Sequence, residues 1–155
     1  MKSRAEIDAL FDMYETFSKD YLRSLAKEKG RTLLNRISGR KDKQYAIDFL
    51  TVFCGAIAEH HGFGYDEYDL FIKSTGITTV SYDEFVRMTR LNGTATTLYQ
   101  MKTFGKDFYF DLSFDFDLMI LGLCMCAIDG KITFIEREHM INWVPMPSYT
   151  DDRRF

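Results

Sequence analysis

The first part of the chain carries apolar residues at every third or fourth position, which is the spacing of an amphipathic helix. The pattern runs from about Ser3 to Lys29 and is formed by Ile7, Leu10, Phe11, Tyr14, Phe17, Tyr21, Leu22 and Leu25. Glycine is common immediately after a helix, so Gly30 is predicted to end it. Positions 7, 14 and 21 also keep a heptad. We therefore expect this helix to pack on its own domain or, as the alternative, to pair in a structural oligomer.

Further helices are predicted along the rest of the chain. Apolar residues keep helical spacing from Lys43 to His60, and two Ser/Thr-x-x-Glu motifs mark later helix starts, Ser81 with Glu84 and Thr133 with Glu136. The chain contains two prolines, and both lie close to its C-terminal end. Because the body lacks the strongest helix breaker, the predicted fold class is all-α, a compact multi-helix single domain.

Residues 108 to 118 follow a different period, since apolar and polar side chains alternate strictly there. Alternation is typical of a half-buried strand, but no other segment offers a β partner, and a lone strand leaves its backbone groups without hydrogen bonds. We favour an extended connector from Phe108 to Leu112, with Ser113 capping a buried helix behind it. A strand that pairs across a dimer or in a short ribbon is the alternative.

Charge is distributed unevenly along the 155 residues, whose formal net charge is −3. Residues 1–45 hold 11 Lys and Arg against 7 Asp and Glu, whereas the remainder is acidic. A basic first third indicates either intramolecular complementarity or an arm for an acidic partner. The predicted organisation is an N-terminal helix (1–30), a basic linker (31–44), a helical domain (45–143) and a C-terminal tail (144–155). Nucleic-acid binding is not expected, because it usually needs a broader basic face.

The longest apolar run, Leu118 to Ile128, is uncharged and has 11 residues, against about 20 needed to span a bilayer. The N-terminus carries acidic residues early and lacks the apolar core of a signal peptide. The three cysteines lie in apolar helical stretches, and an odd count is a poor disulfide framework, so we expect them to be small buried hydrophobes. Together these features predict a cytoplasmic protein without a transmembrane segment.

An Asp-Gly turn directly follows that uncharged run. Residues 129–136 fit the second half of a calcium-binding EF-hand loop, but its first and third ligand positions would fall on Met125 and Ala127. Neither side chain has an oxygen, so calcium binding of the EF-hand type is not expected. The turn instead joins a buried helix to a capped one, with Asp129 exposed at the corner.

The same turn resembles the signature of the tellurite-resistance TerB-like family, Ala-Asp-Gly-x-Ile-Ser followed by Glu. Residues 126–133 with Glu136 match it, with one extra residue between Ala127 and Asp129. The resemblance covers roughly residues 45 to 143. It implies a helical domain built as two similar halves, acidic residues that hold a divalent metal, and a link to stress-response or membrane-associated assemblies.

An earlier copy of the motif is expected if the two halves are similar. Residues 49–62 look like it, and an offset of 68 residues places His61-Gly62 on Asp129-Gly130 and Tyr68 on Glu136. This alignment gives the first half no acidic marker at those two positions, although Asp66, Glu67 and Asp69 lie close by.

The candidate metal ligands are Asp129 and Glu136, complemented by His61 or His139. The alternative is that the histidine pair is a solvated turn and that Glu136 serves only its helix cap. Asp129, Lys131 and Glu136 are the candidate partner-binding residues. The sequence contains no phosphate-binding loop, nucleophile elbow or His-Glu-x-x-His motif, so no enzyme activity is expected.

The sequence is compatible with three functions. The first is a non-enzymatic interaction module of the TerB-like type, which binds an unknown protein partner or a peripheral membrane assembly. The second is a divalent-metal-binding module, and the third is a structural oligomer formed through the N-terminal heptad. The sequence leaves open whether the chain is a monomer or a homodimer.

Overall fold

The computed structural model describes residues 3–58, 65–87 and 112–144. These residues form helices α1 (Arg4–Glu15), α2 (Lys19–Ser38), α3 (Lys43–Ala58), α4 (Tyr65–Thr75), α5 (82–87), α6 (Leu112–Ala127) and α7 (Phe134–Trp143). Within the described ranges most residues are helical and none lies in a strand. The predicted all-α fold class is therefore confirmed.

Helix α6 lies at the centre of the molecule. It packs against α1, α2, α3, α4 and α7, and most of its described side chains are buried. This position explains its long uncharged run, since a helix covered on every side has no polar face. Its two cysteines, Cys124 and Cys126, and Cys54 of α3 are buried free thiols, as predicted.

The N-terminal segment forms two helices, so the prediction of one continuous helix over residues 3–29 is wrong. Helix α1 ends at Glu15, and the hydroxyl of Ser18 accepts a hydrogen bond from the Tyr21 N–H (3.1 Å) to cap the start of α2. Ile7 and Tyr14 are buried in the core of their own chain. The three heptad positions therefore lie on two different helices. The side chains at two of them, positions 7 and 14, are buried within their own chain.

Gly30 lies inside α2 and does not end it, because α2 continues to Ser38. A Cβ atom at position 30 would lie 2.6 Å from the carbonyl oxygen of Ser74 on α4. The glycine thus permits a close approach of two helices. The predicted linker over residues 31–44 is correspondingly wrong for 31–38, where Leu33 and Ile37 are buried. The basic residues around Leu33 and Ile37 made this segment resemble a linker in the sequence.

The alternating segment is helical from Leu112 onwards, so Ser113 lies in the first turn of α6 and not at its N-cap. Neither a connector reaching Leu112 nor a strand over 112–118 is present; residues 108–111 lie outside the described residues. The prediction was wrong because α6 is buried on several sides, so the alternating pattern does not separate one buried face from one exposed face. One of its polar residues, Asp117, is buried and pairs with Lys29 of α2 at 3.3 Å. The buried carboxylate thus has a cationic partner.

None of the helices in the described part of the chain is long and apolar enough to cross a membrane.

Candidate functional site

The Asp-Gly turn connects the central helix to α7. The Gly130 N–H donates to the carbonyl of Ala127 (2.9 Å), and Gly130 adopts a φ of +98°, a left-handed conformation that glycine tolerates best. The Asp129 carboxylate accepts from the Lys131 N–H at 3.3 Å. Asp129 and Lys131 are both exposed. The predicted exposure of Asp129 at the corner is confirmed.

The capping box at the start of α7 is also confirmed. The Thr133 hydroxyl accepts from the Glu136 N–H (3.3 Å), and Oε1 of Glu136 accepts from both the N–H (3.1 Å) and the hydroxyl (3.0 Å) of Thr133. Glu136 is only 3% exposed. Its carboxylate therefore lies in the interior and stabilises the turn through its hydrogen bonds with Thr133.

A second buried glutamate belongs to this region. Glu67, in the first turn of α4, is 6% exposed. Among the described residues no hydrogen-bond partner meets its Oε2 atom. The pKa of Glu67 is raised to about 7, mainly by burial and to a smaller extent by the negative charge of Asp129. We refer to Glu67, Asp129 and Glu136 as the acidic centre.

The pKa of Glu136 is raised for similar reasons. The pKa of its carboxyl group is raised to about 7, mainly by burial and to a smaller extent by the charges of Asp129 and Glu67, whereas the hydrogen bonds from Thr133 act in the opposite direction. The three carboxyl groups are therefore coupled electrostatically. Two buried carboxyl groups that titrate near neutral pH can hold a proton or neutralise a cation under physiological conditions.

The offset of 68 residues used in the sequence comparison places Tyr68, and not Glu67, on Glu136. Helices α4 and α7 begin 69 residues apart, and α3 and α6 do so as well. At that offset Glu67 corresponds to Glu136, since each is the third residue of its helix. The signal available in the sequence was the acidic residue three positions into the helix, but the boundary of α4 was needed to recognise it.

His61 lies outside the described residues, and His139 belongs to α7 but its side chain is not among those described. Within the described ranges, no three His, Cys, Asp or Glu side chains are arranged as a metal-binding group. The acidic centre in this conformation is thus a cluster of interacting charges without a formed coordination shell.

One arginine of α7 forms ion pairs with helix α1. Arg137 of α7 contacts Asp8 (3.3 Å), Asp12 (2.8 Å) and Glu15 (3.0 Å) of α1, and its Nε donates to the Ile132 carbonyl (3.1 Å). Glu15 also accepts from the Ile132 N–H at 2.9 Å. We call these contacts the α1 clamp. The order of the residues does not reveal the α1 clamp, because the residues that it joins are more than 100 positions apart.

Two apolar side chains remain exposed beside the turn. Phe134 is 69% exposed and Ile135 is 46% exposed, and both belong to the first turn of α7. The guanidinium of Arg4 lies 5.9 Å from the centroid of the Phe134 ring. The turn region thus combines an exposed acid, an exposed lysine and two exposed apolar side chains.

The nearby thiols offer little reactivity. Burial raises the pKa of Cys124 to about 12 and that of Cys126 well above its ordinary value. The thiolate is the nucleophilic form, so both thiols are unreactive at neutral pH.

Comparisons of this chain with family models, with curated proteins and with solved structures gave no match.

Proposed function

We propose that this chain is a non-enzymatic helical interaction module that binds a protein partner through the surface formed by Asp129, Lys131, Phe134 and Ile135. The observation that carries the proposal is the exposure of Phe134 (69%) and Ile135 (46%) on adjacent positions beside two exposed charges. Aromatic and aliphatic anchors next to charged groups are the usual composition of a recognition surface.

The hydrogen bonds that flank this surface support the proposal. The capping box holds Thr133 and Glu136, and the α1 clamp holds Ile132 and Arg137. Both devices act on residues that flank the exposed apolar pair. A surface that is already ordered loses little conformational entropy when a partner binds. In this proposal Glu136 does not contact the partner, because it is buried, and its role is to keep the turn in shape.

Affinity capture with matched variants tests the proposed surface. Phe134→Ser combined with Ile135→Ser is expected to lose a partner that the wild-type chain retains, without loss of helicity. Met13→Ser combined with Tyr21→Ser is the control, since these two side chains are 47% and 52% exposed on other helices. Retention of every captured protein by the Phe134/Ile135 variant would exclude this surface.

A second candidate function, binding of a divalent cation at the acidic centre, is favoured by one specific observation. Glu67 is buried with an oxygen that no described residue satisfies, and like charges on Asp129 and Glu136 act on the same region. A bound cation would supply the missing partner and offset the repulsion. His61 or His139 would complete the ligand set in the version that favours zinc, manganese or nickel.

Thermal unfolding after chelation, repeated with calcium, magnesium, manganese and zinc, tests this candidate. A metal at a hundred times its dissociation constant adds about 2.7 kcal/mol of stability, which corresponds to roughly 5–11 °C in the midpoint. Asp129→Asn and Glu67→Gln should each remove the shift, whereas Asp20→Asn, on a side chain 97% exposed, should keep it. An unchanged midpoint with all four metals would refute the metal proposal and leave the partner proposal intact.

We further infer a TerB-like organisation in which α3–α4 and α6–α7 are similar halves. The common offset of 69 residues supports it, as does the placement of one buried glutamate at the third position of α4 and one at the third position of α7. A role in stress response or in a membrane-associated assembly belongs to the same inference and rests on the sequence motif.

A further inference from the structure

A groove between α2 and α4 carries a concentration of positive charge. Its volume is about 550 Å³, and it is lined by Arg23, Ser24, Lys27, Arg31, Ile72 and Lys73. Four of these six side chains are cationic, on a chain whose formal net charge is −3. This volume lies within the range of small-molecule sites. We call it the basic groove.

Three of the cations follow one face of α2. Arg23, Lys27 and Arg31 are spaced four residues apart, so they lie one above another over about 12 Å of helix. Like charges at this spacing repel each other and weaken the helix. A negatively charged ligand beside them would relieve this repulsion.

The described residues compensate this charge only in part. Arg23 pairs with Asp20 at 3.3 Å, but Asp20 is 97% exposed, so the pair is a weak surface contact. Lys73 pairs with Asp69 at 3.0 Å. No acidic partner is present among the described residues for Lys27 or Arg31. By contrast, Lys29, which faces another side of α2, has Asp117 at 3.3 Å.

The close approach of α2 and α4 places Lys73, the fourth cation, beside the three cations of α2. Gly30 contacts the backbone of Ser74, and its neighbours Arg31 on α2 and Lys73 on α4 both line the groove. Packing that depends on a glycine thus places cations from two helices around one space. Ile72 contributes an apolar wall between them.

We propose that the basic groove binds a small molecule carrying two or more adjacent phosphate groups. Arginine guanidinium groups match phosphate oxygens with two parallel hydrogen bonds, and lysines add mobile point charges. Two of the four cations, Lys27 and Arg31, have no acidic partner among the described residues, so the groove favours a ligand that places several negative charges close together. Neighbouring phosphate groups do so. The confinement of the cations to one groove favours such a ligand over a nucleic-acid backbone, which needs a broader face.

Calorimetric titration of the full chain with inorganic tripolyphosphate at low ionic strength tests the proposal. Lys27→Gln combined with Arg31→Gln should weaken binding about tenfold or more. Both side chains are exposed, so this variant should keep its circular dichroism spectrum. Lys41→Gln combined with Lys43→Gln removes the same charge near the start of α3 and should change the dissociation constant less than about threefold. Citrate is the comparison anion and should bind at least about tenfold more weakly than tripolyphosphate.

The source of the phosphate groups is distinguished by a second arm. Phosphatidylcholine vesicles with and without phosphatidylinositol bisphosphate are sedimented with the wild-type chain and the Lys27/Arg31 variant. Binding to tripolyphosphate alone assigns a soluble ligand, and binding to the bisphosphate vesicles that the variant loses assigns a lipid head group. The proposal is overturned if neither probe binds, if both double variants bind equally well, or if citrate binds as tightly as tripolyphosphate. None of these outcomes depends on the Asp-Gly turn, so the proposed functions there are tested separately.

Discussion

Two glycines near the C-terminal half of α2 occupy very different environments. A Cβ atom on Gly30 would collide with the backbone of Ser74, at 2.6 Å from its oxygen and 2.8 Å from its carbonyl carbon. A Cβ atom on Gly39, the C-cap residue, would meet the Asn35 carbonyl at 3.4 Å, and Gly39 has an ordinary φ of −71°. Backbone atoms cannot move aside as a flexible side chain can, so position 30 is the more constrained of the two.

Gly30→Ala is therefore expected to destabilise the protein by about 1–3 kcal/mol, because the new methyl group forces α2 and α4 apart. Urea unfolding followed by circular dichroism measures the change. Gly39→Ala is the control and should be neutral or slightly stabilising. Equal stability of the two variants would contradict the close helix crossing.

The buried glutamates should make stability depend on pH near neutrality. The folded-state pKa of Glu67 and of Glu136 is about 7, above the value of about 4.3 expected in the unfolded chain. The folded state thus binds more protons in this interval. The resulting stabilisation is complete below the unfolded pKa and is lost as the pH rises through about 7. The lowered pKa of Asp8 acts at more acidic pH and does not affect this window.

We expect the wild-type chain to lose roughly 1–2 kcal/mol of stability from these two groups between pH 5.5 and 8, after allowance for screening by solvent. Glu67→Gln should reduce that loss, because the glutamine does not ionise. Denaturation at several pH values measures the slope for this variant, the wild type and Glu28→Gln, a control on a side chain 68% exposed. The same slope in all three proteins would rule out titration of Glu67 in this range.

At the scale of elements, the α1 clamp joins the beginning of the chain to the start of α7. The Arg137 side chain is 15% exposed and serves three acidic groups, and its guanidinium lies 5.2 Å from the centroid of the Phe11 ring. A partly buried network of this kind couples the elements more strongly than an exposed ion pair does. Helix α1 therefore helps to hold the Asp-Gly turn in place.

Arg137→Met should keep much of the packing against Phe11 but lose the charged contacts. We expect a destabilisation of about 1–3 kcal/mol, because Asp8, Asp12 and Glu15 lose their shared cation. Hydrogen exchange should also become faster in α1 and in the turn. Arg23→Met, which removes only an exposed pair with Asp20, should change stability by less than about 0.5 kcal/mol. Unchanged exchange in α1 after Arg137→Met would show that the clamp does not secure this helix.

At the scale of the whole molecule, the N-terminal residues form part of the common core. Phe11 from α1 and Leu22, Ala26 and Leu33 from α2 are at most 1% exposed, and both helices pack against α6. We therefore expect residues 45–143 to depend on the N-terminal helices for a complete core. Removal of the first two helices would uncover the apolar surface of α6.

A chain that begins at Arg31 lacks α1 and the first part of α2, and it is expected to lose cooperative thermal unfolding and near-ultraviolet circular dichroism because its core is incomplete. A chain that begins at Ser3 is the control and should melt like the full-length protein. Cooperative unfolding of the chain that begins at Arg31, with its helices intact, would show that the N-terminal helices are an addition to an independent domain.

Local features were predictable wherever neighbouring residues determine them. The Thr133–Glu136 and Ser81–Glu84 capping boxes form between residues three positions apart, and the long uncharged run became the buried central helix. Helical spacing and the near absence of proline were enough for the all-α fold class. These properties depend on short-range hydrogen bonds and on amphipathicity, which the order of the residues carries directly.

Tertiary packing decided the features that join distant residues. Gly30 has the appearance of a helix terminator in the sequence, and only the approach of Ser74 shows why α2 continues through it. The start of α4 at Tyr65 places Glu67 in the first turn of that helix and so in the acidic centre. Arg137 contacts residues of α1 that lie more than 120 positions earlier in the chain. Local order determines which helices form, whereas close packing between them determines which charges become buried, paired or left facing a groove.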